Sequence, residues 1–131
     1  MSWKQLLEKG EVRIHRTSKE ELDNIRSLIV RDLADAALPG LSADRQFATA
    51  YNAALQAGKM VIACSGYRVA APAGHHAITF EAAQLALGSE AAFLIDYLDT
   101  CRRKRNLIDY NNSSVATETE ANELRKKAHQ F

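Results

Sequence analysis

At 131 residues, with 47% hydrophobic and 25% charged residues, the chain has the makeup of one globular domain, expected to span 1–131 around a single core. Lys and Arg number 17 against 16 Asp and Glu, a formal net charge of +1, which excludes a polycation that coats nucleic acid by bulk charge and makes any basic surface a local one. No run approaches the ~18–20 apolar residues of a membrane span, and the opening MSWKQLLEKG lacks the apolar stretch of a secretory leader, so no membrane partner and a reduced, cytoplasmic setting are expected.

The periodicity is helical nearly throughout. SWKQLLEKGE reads as a short first helix stopped at Gly10. Ser18 followed by Glu21 has the form of a capping box. It opens a second helix whose stripe is Leu22, Ile25, Leu28, Ile29, Leu33 and Ala36, ended by Pro39-Gly40. Ser42 or Asp44 caps a third, with Phe47, Tyr51, Ala54, Leu55, Gly58, Val61 and Ile62 on one face and Gly66 as its stop. YRVAAPAG reads as a loop, and no strand is expected, VIACS and YRVAA being too short against the helical frame. HHAITFEAAQLALG is a fourth helix, and Ser89 caps a long fifth, EAAFLIDYLDTCRRKRNLIDY. NNSSVA is a turn, and Thr117 with Glu120 forms a second capping box that opens the last helix. The fold class is therefore all-α: an antiparallel bundle of about five main helices. The alanines of helix three favour close helix approach. Cys64 and Cys101 both sit in apolar patterns and read as buried structural thiols.

The fifth helix carries the chemistry. On a wheel of about 100° per residue, Leu94, Leu98 and Cys101 fall within about 40° of Arg105. Arg105 thus lies on the apolar stripe. A cation there needs a partner or a cleft, because an unpaired buried charge costs several kcal/mol. Asp109, at i+4, is the local candidate partner, with Asp32 or Asp35 of helix two as alternatives. Asp99, Arg103, Asn106 and Tyr110 group on another side, and Arg102 lies between the two sets. Guanidinium forks match phosphate geometry, so the cluster points to an anionic ligand. A basic helix end solvated in line with the macrodipole is the structural alternative.

RKRNLIDY at the end of this helix follows AYNAALQAGKMVIACSGYR and a GHHA helix start. Together these resemble the HEPN domain family of small all-helical proteins, in particular its stand-alone bacterial branch, from Leu6 to Phe131. That resemblance implies a HEPN-like bundle, a homodimer and a toxin–antitoxin or defence setting. It also implies an RNA- or nucleotide-related function. In active members an R-x(4–6)-H motif meets its copy across the dimer and cleaves RNA without metal, the Arg holding phosphate and the His moving a proton. Carried over, Arg105 and Asn106 match the start of the motif, and Tyr110 stands where the His belongs. No His lies between Arg102 and Ser114. A phenol, with a pKa near 10, is a poor base at pH 7. The form RNLIDY also matches branches that look like partners, regulators or nucleotide-binding versions.

Arg105 and Tyr110 are therefore the candidate catalytic pair, with Arg102, Asn106, Asp109 and His76 as ligand-binding candidates. His75 and His76 are adjacent, so they point about 100° apart and do not readily share one metal. No metal or cofactor is expected. P-loop, dinucleotide, zinc-protease and nucleophile-elbow patterns are absent. Two alternatives stand beside a degenerate ribonuclease. One is a non-catalytic interaction protein that partners a nucleotidyltransferase. The other is a purely structural bundle with no cleft over Arg105.

Overall fold

A computed structural model describes residues 2–71, 74–109 and 116–130, without the side chains of Ile108 and Asp109. Six α-helices account for most of it: α1 Trp3–Glu8, α2 Lys19–Ala36, α3 Ala43–Cys64, α4 His75–Leu87, α5 Ala92–Asp109 and α6 Glu118–Gln130. The five longer ones form the expected bundle. Two three-residue strands, β1 Val12–Ile14 and β2 Tyr67–Val69, correct the expectation of no strand. They pair antiparallel with Val12 opposite Val69 and Ile14 opposite Tyr67. Three residues are too few for a period of two to show in sequence, yet the pairing is extended by His15 N–H to the Gly66 carbonyl (2.8 Å) and Ala70 N–H to that of Glu11 (2.9 Å).

Helix α3 is the axis of the molecule, contacting α2, α4, α5, α6 and β2. Its alanines explain this. Ala50, Ala53, Ala54 and Ala63 are buried and let neighbouring backbones approach on several sides at once. The main core gathers Phe47, Tyr51 and Leu55 of α3 with Phe80, Leu98, Cys101 and Leu124. A smaller core of Leu6, Val12, Ile62 and Ala82 sits under α1 and the strands, where Trp3 stacks on Tyr67 at 4.3 Å and 5° between planes.

Start signals act as local chemistry dictates. Ser42 Oγ accepts from the Arg45 N–H (3.2 Å), so Ser42 is the cap of α3. The Asp44 carboxylate instead reaches across the bundle to accept the Ala116 N–H at 2.7 Å. The Thr117–Glu120 box is complete in both directions, at 3.1 and 3.0 Å. Ser18 caps α2 by accepting from Glu21 N–H. The Glu21 carboxylate, however, turns away to His15 Nε2 (2.7 Å) and Thr17 Oγ1 (2.8 Å). The expected Ser89 cap of α5 is corrected: Ser89–Ala91 forms a 3-10 turn behind Gly88, and α5 begins at Ala92. The thiols also divide. Cys101 is buried, whereas Cys64 is exposed at the last turn of α3. Helix α2 buries only Asp32 and Ala36, leaving its apolar stripe half-covered.

Candidate functional site

Gly74 takes φ +72°, a left-handed conformation that costs an L side chain about 1–2 kcal/mol. This glycine ends the connection from β2 and starts α4 with no side chain to cap the helix. The first-turn residues of α4, His75 and His76, are thereby delivered to the side of α5 near its C-terminal end. A groove of about 260 Å³ forms between them, lined by Gly74, His75, His76, Arg102, Arg105 and Asn106. On α5 the spacing is i, i+3, i+4, one continuous face. Asn106, grouped with Arg103 on the sequence wheel, thus joins Arg102 and Arg105, and Arg103 points to solvent.

Arg105 does sit on the apolar stripe, and a π-face meets it there. Its guanidinium carbon lies 5.9 Å from the centroid of the Tyr51 ring, within cation–π range. Tyr51 is 1% exposed, and Phe80 meets its ring edge-on at 5.8 Å. Asp32, offered by the sequence as a partner for Arg105, accepts from Asn52 Nδ2 at 2.6 Å and from Arg31. Arg102 is held by Asp99, Nε to Oδ1 at 2.9 Å along the helix. Tyr110 and the side chain of Asp109 lie outside the described residues.

The Tyr51 hydroxyl is 3.0 Å from His76 Nδ1. Burial raises the Tyr51 pKa above the ordinary phenol value, although Arg105 and Arg102 pull the other way. The phenol therefore keeps its proton at neutral pH, and the imidazole nitrogen is its hydrogen-bond partner among the described residues. With Tyr51 donating to Nδ1, the neutral ring carries its own proton on Nε2. His76 is neutral for the same kind of reason. Burial lowers its pKa first, and the positive charges of Arg105, Lys59 and Arg102, with His75, lower it further.

The groove thus collects donors: two guanidiniums, the Asn106 amide, the Nε2–H of His76, and the uncapped amides at the start of α4. Donors at a helix N-terminus, with no carboxylate in the lining among the described residues, suit an anion. Among the described residues no group of three or more His, Cys, Asp or Glu stands together as metal ligands do, and no helix is long and apolar enough to cross a membrane.

Of the residues singled out in the sequence, Arg102, Arg105, Asn106 and His76 line this groove, whereas Tyr51 reads from the sequence as core only. Its ring is core, and its hydroxyl is the polar group that meets His76 Nδ1 at 3.0 Å. The one signal was a phenol on a face otherwise made of Phe, Ala, Leu, Gly, Val and Ile. No family model, curated protein or solved structure matches the chain, so the site rests on its own geometry.

Proposed function

We propose that the groove between α4 and α5 recognises the phosphate of an RNA strand or a nucleotide, in a HEPN-like bacterial protein of the defence or toxin–antitoxin kind, as a binding module. The observation that carries this reading is the convergence of His76 from α4 with Arg102 and Arg105 from α5 in one groove. In the HEPN pattern an imidazole follows the Arg on the same helix. Here Tyr110 stands at that position, and an imidazole comes from another helix. Because Tyr51 holds Nδ1, His76 offers a proton to the ligand and does not accept one. That favours phosphate binding over the base-assisted attack of a ribose hydroxyl. The groove lined by Arg105 supports this reading over a purely structural bundle.

The test is paired. RNA binding is measured by fluorescence anisotropy, and RNA decay is followed in the same samples, for the wild type, Arg105→Ala, His76→Gln and Tyr110→Phe. Arg105→Ala should weaken binding by about tenfold or more, the scale of a charge-assisted contact, with background decay throughout. Binding unchanged in Arg105→Ala overturns the phosphate reading. Decay that requires Arg105 and His76 converts the protein into a nuclease.

We further propose the homodimer that the HEPN resemblance implies. The half-covered α2 stripe and Phe93, 93% exposed on α5, are apolar surface on which a second copy or a nucleotidyltransferase could rest. A strict monomer by light scattering at micromolar concentration sinks the dimer, and co-purification with a nucleotidyltransferase identifies the other partner.

A further inference from the structure

A second cavity of about 280 Å³ shares His75 with the arginine groove and otherwise has a lining of its own. Its walls come from four elements. Ile25 of α2, Ile62 and Ala63 of α3 and Val69 of β2 make an apolar floor, with Ile62 and Ala63 buried. Lys59 of α3, Arg68 of β2 and His75 of α4 stand at the mouth. Glu21, which also lines the cavity, is already engaged by His15 and Thr17, and its carboxyl is held below the usual range chiefly by the His15 hydrogen bond, with the charge of Arg68 a smaller cause. Neither Lys59 nor Arg68 has a carboxylate within ion-pair distance among the described residues.

We propose that this cavity binds a small amphipathic monocarboxylate, its apolar body on Ile25, Ile62 and Val69 and its carboxylate between Lys59 and Arg68. An apolar cavity of about 150 Å³ is enough to hold benzene, so this volume accommodates an aromatic ring or a chain of about six to eight carbons. Charge selects the head group. Lys59 and Arg68 contribute two positive charges, and Glu21 removes one, so these three side chains carry a net single positive charge. A monoanion balances it, whereas a phosphate dianion leaves negative charge facing Glu21. An apolar pocket with a few converging polar groups is the common form of a small-molecule site. The inference does not depend on the phosphate reading of the neighbouring groove.

Calorimetric titration at pH 7.5 with hexanoate, hexanol and hexylamine tests it. Hexanoate should bind once per chain, about tenfold tighter than hexanol, and hexylamine should be weakest. The double variant Lys59→Ala/Arg68→Ala should bring hexanoate down to the level of hexanol, a loss of about tenfold for two part-exposed charge contacts. Ile25→Trp, which fills the cavity from half-exposed α2, should weaken both ligands. Should that variant not fold, methyl NMR shifts of Ile62 and Val69 in the wild type on adding hexanoate report the same contact. Equal affinity for hexanoate and hexanol overturns the proposal. So does the absence of saturable binding at about 10 mM, well above the roughly millimolar Kd that so few ligand atoms reach.

Discussion

Replacing Tyr51 by Phe removes one oxygen and leaves the ring. The edge-on contact with Phe80 and the face under Arg105 both survive, so no cavity opens and the cation–π contact persists. What is lost is the 3.0 Å hydrogen bond to His76 Nδ1. A net intramolecular hydrogen bond is worth about 0.5–1.5 kcal/mol, and a buried group left without its partner costs about 1–3 kcal/mol. Here the orphan is His76 Nδ1, on a side chain only half-buried and open to the groove, so the lower range applies. Tyr51→Phe should therefore lower stability by about 1 kcal/mol, or roughly 3–5 °C in Tm for a chain of this size. By contrast, Tyr51→Ala, which empties the core between α3 and α4, should cost about 3–5 kcal/mol. Denaturant unfolding with an unchanged m-value measures both. Nitrogen-15 NMR of the imidazole should find the proton on Nε2 in the wild type and a mixture of tautomers in Tyr51→Phe. A wild-type ring protonated on Nδ1, or a Phe variant as stable as the parent with its tautomer unmoved, refutes the claim that this hydroxyl sets the state of His76.

The pH dependence of stability has a definite sign. The folded-state pKa of His76 lies below the ordinary 6.5, so the unfolded chain binds more protons between the two values, and stability rises with pH through the window just below 6.5. Relative to His76→Gln, the wild type should lose stability on acidification there, measured by urea unfolding at a series of pH values. Removing Arg105, the largest charge acting on His76, should move the His76 pKa upward in an NMR titration of Arg105→Ala; no movement, or a fall, contradicts the geometry. Asp32→Ala leaves Asn52 without its 2.6 Å acceptor and removes the Arg31 contact, and should cost about 1–3 kcal/mol in chemical denaturation. Leu98→Ala, at a fully buried position, should cost about 2–5 kcal/mol by the same measurement.

The sequence by itself determined the bundle, because apolar residues at helical spacing must be buried on one side whatever they pack against. It determined the helix starts at Ser18 and Thr117, which depend on a side chain three residues from its target, and narrowed that of α3 to Ser42 or Asp44, between which the structure chose Ser42. It also determined that Arg105 shares a stripe with Leu98 and Cys101, since that is geometry within one helix. What meets that stripe was decided elsewhere. A wheel drawn on α5 lists the carboxylates within reach along the chain, and it cannot list the Tyr51 ring, which arrives from 54 positions earlier in the sequence. The same holds for His76, a ligand candidate in the sequence whose neighbours on α5 follow only from the way the Gly74 turn sets α4 against α5. The two short strands and the exposure of Cys64 likewise depend on which neighbour happens to lie alongside. Local periodicity fixes which face of a helix is apolar; only the packing of one helix on another decides whether a polar group on that face meets a carboxylate, an aromatic ring or an open groove.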